Sequence, residues 1–406
     1  MKRTLLIAVI ALSAICAPAQ EALWGGAGAV ISPQVNPDNS VTFRYVSPTA
    51  KTVKVTGDFL PKVRVATPHG EFDMPGTADL VRGADGVWSY TTEPLRPELY
   101  LYNMVVDSVT TLDPLNLYIN RDITSMTNRL LVPGEASMAY DENMDIPHGT
   151  VRKMWYNSPG MGFDRRLSVY TPAGYEASGS SYPVLYLLHG MGGDENAWLE
   201  NGRIAQIMDW MIAKGLAEPM IVVIPNGNPE MQISPADGSL LKPQPQMSEY
   251  QVVNGAYEAA FPEIVEFIET NFRTISDKAH RALAGLSMGG FHTLTISKEY
   301  PEMFDYIGLF SAATHRAMAN FMKPDLPEVY SDYEGKLARQ FAEAPALYWI
   351  GIGKDDFLYN SNVDFRKILD AAGYPYEYYE SDGGHTWRNW RDYIKIFAPK
   401  LFRQQH

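Results

Sequence analysis

Cysteine is almost missing from this chain. Cys16 is the only one in 406 residues, and it sits in an N-terminal stretch that reads as a removable leader. Once that leader is gone, the chain holds neither disulfides nor thiolate metal sites. Long apolar runs are also scarce. Leu5 to Ala14 is too short for a stop-transfer helix, and no other segment reaches membrane-spanning length. Lys2 and Arg3 precede that run, and Ala17-Pro18-Ala19 follows with small residues suited to signal peptidase. Residues 1–20 therefore read as a signal peptide, cleaved after Ala19 or Gln20, and the protein as secreted or periplasmic. A lipoprotein signal wants a small residue before its cysteine. Ile15 stands there, which speaks against lipid anchoring at Cys16. Positive charge is in deficit, 34 Lys and Arg against 47 Asp and Glu, for a net charge of -13. An acidic surface repels phosphate backbones and anionic lipid, so nucleic acid and membrane surfaces are disfavoured as partners.

What remains is ordinary for a globular protein, 46% hydrophobic and 20% charged. The 24 Tyr and 8 Trp make it somewhat aromatic. Flat rings suit carbohydrate or phenolic ligands, although core and sheet filling accounts for most of them. The length exceeds what one core usually organises and predicts two domains.

Residues 21 to about 130 read as all-β. Val41 to Val46 and Thr52 to Thr56 alternate, with turn residues Asn36-Pro37-Asp38-Asn39 before the first and Gly57-Asp58 after the second. Val87 to Tyr90 follows the Asp85-Gly86 turn, and Tyr100 to Val106 makes another strand. Short strands at this spacing indicate a β-sandwich. Pro133 to Pro147 has little periodicity and reads as a linker, so the predicted domains are 21–140 and 141–406. In the second, apolar runs alternate with helical ones. Val184 to Leu188, Met220 to Ile224, Arg281 to Gly285, Tyr306 to Phe310, Leu347 to Gly351 and Tyr376 to Glu380 read as strands. Ile204 to Ile212, the Phe261-Ile264-Val265-Ile268 face, Phe291 to Ser297 and the stretch through Trp390, Ile394 and Phe397 read as helices. Such alternation means an α/β fold, a mostly parallel sheet with helices on both faces and a site at the carboxyl ends of the strands.

Gly285-Leu286-Ser287-Met288-Gly289-Gly290 fits the G-x-S-x-G elbow, in which a serine sits on a sharp turn between a strand and a helix. Serine needs a base, and the base needs an orienting carboxylate. On this elbow the chain order is Ser, then Asp or Glu, then His. His385, in a loop directly after a predicted strand, is the candidate base. The carboxylate should follow an intervening strand. Asp355 and Asp356 compete in Gly353-Lys354-Asp355-Asp356-Phe357; Asp356 is preferred, although pattern alone does not separate neighbours. Two backbone N–H groups should face the developing oxyanion. Met288 supplies one, and Met191 in His189-Gly190-Met191-Gly192-Gly193-Asp194-Glu195 is chosen for the other. His189 reads as a brace for that loop rather than a base, and His292 points away from the pocket. No phosphate-cradling spacing, H-E-x-x-H or paired cysteines occur, so neither a metal nor a cofactor is implied.

With these residues in place, Thr150 to Phe402 resembles the putative-esterase, esterase D-like family, and within it the carbohydrate esterase family 1 feruloyl and acetylxylan esterases. The resemblance rests on the His189 to Glu195 loop with Trp198, the Gly285 to Gly290 elbow, Gly353 to Leu358, and Gly384-His385-Thr386-Trp387 with Trp390. It implies the α/β-hydrolase fold, and the family's aspartate falls on Asp356. Siderophore esterases, S-formylglutathione hydrolases and mycolyltransferases share the family. The N-terminal part, through Asp85-Gly86-Val87-Trp88, Pro97-Glu98-Leu99-Tyr100 and Asp113-Pro114, resembles early-set immunoglobulin-like domains related to glycogen-binding modules. A role propping or lidding the catalytic part is favoured for it over glycan binding.

The resemblance thus implies a serine esterase acting on feruloyl or acetyl esters of a hemicellulose such as arabinoxylan, or of its oligosaccharides. Trp198, Trp387 and the insertion from Asn226 to Gln251 are candidates for the acyl or sugar pocket, with burial in the core the equal alternative for each tryptophan. A siderophore esterase and a non-catalytic glycan-binding protein on a hydrolase fold are the alternatives. Oligomeric state is not readable from the sequence.

Overall fold

The computed structural model describes residues 30–67, 70–122, 125–141, 145–229, 254–318 and 327–403. The leader read at 1–20 and most of the insertion read from Asn226 to Gln251 lie outside the described residues. From Thr150 the chain builds one eight-stranded sheet. Its strands are β1 (Thr150–Ser158), β2 (Phe163–Thr171), β3 (Val184–Leu188), β4 (Ile221–Pro225), β5 (Arg281–Leu286), β6 (Tyr306–Phe310), β7 (Leu347–Gly353) and β8 (Glu377–Ser381). Their order in space is 1-2-4-3-5-6-7-8. β2 pairs antiparallel with both neighbours, and every other pairing is parallel.

Parallel strands need cover on both faces, and the central β3 and β4 are buried at every position. Leu185 and Leu187 of β3 join Val222, Ile224, Ala282 and Ala284 in one core. Their alternates Val184, Tyr186 and Leu188 join Ile221, Val223 and Leu283 in the other. The long helices are α1 (Ile204–Ala213), α2 (Phe261–Asn271), α3 (Met288–Glu299), α4 (Tyr333–Ala342), α5 (Tyr359–Ala372) and α6 (Trp387–Phe397). α1 and α6 cover the first face, and α2 to α5 the second. Fully burying one such aliphatic or phenyl side chain contributes roughly 1.5–3 kcal/mol. Sequence reading leaves 333–372 without helices except for its strand, because α4 and α5 bury narrow stripes, Leu337 and Phe341 in one and Phe365 and Leu369 in the other.

Before this sheet lies a β-rich unit of two antiparallel layers. One has four strands, with Val41–Val46 and Val87–Thr91 at its centre; the other has six, with Val53–Gly57, Glu98–Val106 and Ser125–Val132 adjacent. They share a core: Val41, Phe43 and Trp88 from the first meet Val53, Val55, Tyr102, Met104, Leu130 and Val132 from the second. A separate hairpin, Lys62–Thr67 paired with Gly70–Pro75, was not legible as strands.

The stretch read as a linker is a correction in part. Glu135–Tyr140 forms a 3-10 turn that buries Ser137, Ala139 and Tyr140. With Leu99, Ala139 and Tyr140 enter the core under α1 and α6, so the β-rich unit is packed onto the larger sheet. At that seam Arg391 of α6 donates to Glu98 Oε1 at 3.0 Å, to the Leu99 carbonyl at 2.9 Å and to the Asn201 carbonyl at 2.7 Å.

Candidate active site

Ser287 ends β5 and opens α3. Its backbone sits at φ 53°, ψ -116°, a region that costs a residue with a Cβ on the order of 1–3 kcal/mol and persists only where the surroundings enforce it. The enforcement is visible. The Ser287 N–H donates to the Phe310 carbonyl at 3.0 Å, and the Ser287 carbonyl accepts from Ala313 N–H at 2.9 Å and Phe291 N–H at 3.1 Å. The flanking glycines are required by close approach. A Cβ on Gly285 would lie 2.3 Å from the Gly289 carbonyl oxygen, and one on Gly289 would lie 2.5 Å from the oxygens of Leu188 and His189.

The turn presents Ser287 Oγ to His385 Nε2 at 2.9 Å, and His385 Nδ1 faces Asp356 at 2.9 Å and 3.1 Å. A carboxylate opposite Nδ1 selects the tautomer with the proton there, so Nε2 keeps its lone pair for the serine hydroxyl. The Asp356 side chain is fully buried and also accepts from Leu358 N–H at 2.9 Å. Asp355 is exposed, and its backbone N–H donates to Gly383 O. Of the two neighbours only Asp356 meets the imidazole. Phe357 and Trp390 hold the ring between them, with centroids at 4.5 and 4.9 Å. Serine, aspartate and histidine come from the carboxyl ends of β5, β7 and β8, where parallel sheets place their sites.

Met288 is the first residue of α3, so its N–H has no acceptor one turn back within the helix. Met191 lies across the opening, in the loop after β3. That loop is glycine-rich, and Gly192 takes φ +91°. It is held from outside itself. The buried His189 ring receives Gly227 N–H on Nε2 at 2.8 Å and faces the Gly190 carbonyl through Nδ1 at 2.8 Å. Burial pushes this imidazole down to about 4, so it is neutral near pH 7 and acts as a brace. Asn228 Nδ2 donates to Gly193 O at 2.9 Å, and Glu195 pairs with Arg166. His292, expected to point away, is buried against Glu258 at 2.8 Å.

Gly190, Met191, Ser287, His385, Thr386, Trp387 and Trp390 line a cavity of about 240 Å³. Trp387 stands in its wall. Trp198 is a correction. It is fully buried, its indole N–H donates to Leu188 O at 3.0 Å, and it backs Trp387 edge-on at 5.4 Å. An indole with its polar edge satisfied inside the core has no face left for a ligand. Trp390 is a wall residue that the sequence placed on a helix and in the histidine motif but not at the pocket. Its signal is the spacing of three from Trp387, which puts both rings on one side of α6. The β-rich unit also reaches the site. Arg121 pairs with Asp194 at 3.0 Å, and a Cβ on Gly384 would meet Lys62 Nζ at 3.6 Å.

Known proteins resemble this chain. The chain is 30% identical over 378 residues to an endo-1,4-beta-xylanase/feruloyl esterase of Xylanibacter ruminicola, matching 91% of this chain and 46% of that protein. The chain thus spans less than half the length of that relative. It is 28% identical over 236 residues to an acetyl esterase of Caldicellulosiruptor saccharolyticus, matching 52% of this chain and 80% of the relative. The enterobactin esterase of Shigella flexneri superposes on 89% of this chain and 93% of its own with a TM-score of 0.58 at 16% identity; at that identity the likeness is one of fold. Residues 158–396, more than half of the chain, match the family described as putative esterase. They contain Ser287, Asp356 and His385 with the strands that deliver them, and the chain belongs to that family.

Proposed function

We propose that this chain is a secreted serine esterase of the α/β-hydrolase fold that cleaves feruloyl or acetyl esters on a plant hemicellulose such as arabinoxylan. The observation that carries this reading is the hydrogen-bonded series from Ser287 Oγ through His385 to Asp356. Ser287 Oγ attacks the ester carbonyl while His385 Nε2 takes its proton. The tetrahedral oxyanion is met by the N–H groups of Met288 and Met191. His385 returns the proton to the leaving alcohol, and the acyl-enzyme remains. Water, deprotonated by His385, then releases the acid and frees Ser287. Asp356 holds the imidazole and stabilises its cationic form at each transfer. No cofactor takes part. Residues 1–20 form the leader, 21–140 an immunoglobulin-like domain and 141–406 the esterase domain.

The acyl group is read from the wall. Trp387 and Trp390 meet at 5.1 Å, nearly perpendicular, an arrangement suited to a flat phenolic ring. The xylanase/feruloyl esterase relative supports this choice, and the acetyl esterase relative keeps the smaller acyl group in view. A catecholate siderophore loaded with iron is anionic, and among the described residues the cavity wall holds no Lys or Arg. A purely binding role leaves the strained serine and its relay without a use. The deciding experiment incubates the full chain with methyl ferulate, acetylated xylan and a catecholate siderophore, alongside Ser287→Ala. Ferulate release should fall on the order of 10³-fold or more in the variant. Turnover retained by Ser287→Ala would overturn the nucleophile, and cleavage of the siderophore alone would overturn the substrate class.

A further inference from the structure

We propose that the N-terminal β-rich unit is a working part of the ester-cleaving site, and that Arg121 is a positioning residue for the loop carrying Met191. This rests on the oxyanion reading above. The loop from His189 to Asn196 contains Gly190, Gly192 and Gly193, and glycine gives a backbone no stiffness of its own. An oxyanion donor is effective only where it is fixed before the charge develops. The loop must therefore be fixed by its ends. His189 anchors the first end through two hydrogen bonds. Asp194 anchors the other, and its two oxygens have different partners. Oδ1 accepts from Asn196 N–H at 2.7 Å, inside the same loop. Oδ2 accepts from Arg121 at 3.0 Å, from a strand (Ile119–Asp122) of the other unit.

The same strand grips the chain again just downstream. The buried Asn120 donates from Nδ2 to Asn201 Oδ1 at 2.7 Å, and the Asn201 carbonyl accepts from Arg391. The strip from Asp194 to Asn201 is thus pinned at both ends by contacts that involve the β-rich unit or its seam. On the far side of the cavity Lys62 reaches the loop that carries His385. The unit thus lies beside the loops that carry Met191 and His385, and on the Met191 side the contact is a charge-assisted hydrogen bond to a mostly buried carboxylate, the stronger kind.

The test uses the full chain with Arg121→Ala, Arg121→Gln and Arg121→Lys, read by methyl ferulate kinetics and by inhibition with an aryl boronic acid. The boronic acid accepts Ser287 Oγ to form a tetrahedral adduct whose oxygen occupies the oxyanion position. Losing an oxyanion donor outright costs about 10²–10³-fold, so a donor that is loosened but present should cost roughly 10-fold in kcat. KM should stay within about two-fold. Boronate inhibition should weaken by the same factor as kcat, and Arg121→Lys should recover most of both. A contact that merely helps the units dock would lower folding stability and leave kcat and boronate inhibition of the folded enzyme unchanged. That result in either Arg121→Ala or Arg121→Gln overturns the proposal; the second variant serves if the first does not fold. Ser287→Ala, run alongside, separates the two readings. If it is inactive while Arg121→Ala is unaltered, only the positioning role falls. If it is active, the nucleophile assignment falls, and with it the oxyanion reading on which the positioning role rests.

Discussion

Two adjacent aspartates with the same chemistry occupy opposite environments here. Asp356 is buried under His385 and receives a backbone N–H from Leu358, whereas Asp355 faces solvent. Asp356→Asn removes the charge that supports the imidazolium and frees the ring to take the wrong tautomer. Turnover is expected to fall by up to about 10⁴-fold, while Asp355→Asn keeps most activity and stays within about 0.5 kcal/mol of the wild-type stability. Turnover of a soluble aryl ester by both variants, with circular dichroism as the folding control, checks this. An inactive Asp355→Asn beside an active Asp356→Asn would contradict the geometry. Sequence order narrowed the choice to this pair, because the carboxylate is expected in the loop after the strand that precedes the histidine's own, and Lys354 to Leu358 holds only these two. Which member turns inward depends on one residue of backbone register, and spacing does not encode that.

At the scale of elements, the loop after β3 illustrates how a glycine-rich segment keeps one shape. His189 does this as a neutral ring, since Gly227 N–H requires a lone pair on Nε2. Burial holds its pKa at about 4 against an ordinary 6.5. Between those values the unfolded chain binds a proton that the folded chain does not. Stability therefore falls as pH drops from about 6.5 toward 4 and is fully present above 6.5, with this group accounting for about 3 kcal/mol. His189→Gln keeps a donor and an acceptor but does not titrate. Urea unfolding at about pH 7 and about pH 4.5 should show a smaller loss for the variant than for the wild type. Equal losses would mean that the acid sensitivity originates elsewhere. The loop's glycines were readable as permission for backbone to approach a substrate, and His189 as their brace; the Gly227 N–H that the brace grips lies 38 residues away and left no local mark.

Across the whole molecule, the seam between the β-rich unit and the larger sheet is held by an ion pair taken out of water. The side chains of Arg391 and Glu98 are 2% and 3% exposed. Removing one member strands the other, which typically costs 3–5 kcal/mol. Glu98 retains Arg96 on its other oxygen at 3.1 Å, so Arg391→Met is expected at the lower end, about 3 kcal/mol. Arg391→Met combined with Glu98→Gln should cost less than the two single losses added, because no buried charge is then left unpaired. Denaturant unfolding of the three variants measures the coupling. Simple additivity would show that the pair contributes nothing as a pair, and the docking would then rest on its other contacts, the burial of Leu99, Ala139 and Tyr140 among them.

Period and punctuation in the sequence were enough for the two-part organisation, the alternation of strands and helices, the elbow at Ser287, and the late histidine. Each depends on neighbours along the chain: apolar residues repeating every second or every third to fourth position, and glycines where no Cβ fits. Assignments that needed a view across the fold were left to the tertiary structure. It turned Asp356 inward, placed Trp198 beneath the cavity and Trp390 in its wall, and folded part of the supposed linker into the core. It also brought Arg121 to Asp194, 73 residues apart. Contacts between residues so far apart are set by how layers stack and which side chains the resulting cavity excludes from water, and a one-dimensional pattern carries no signal for either.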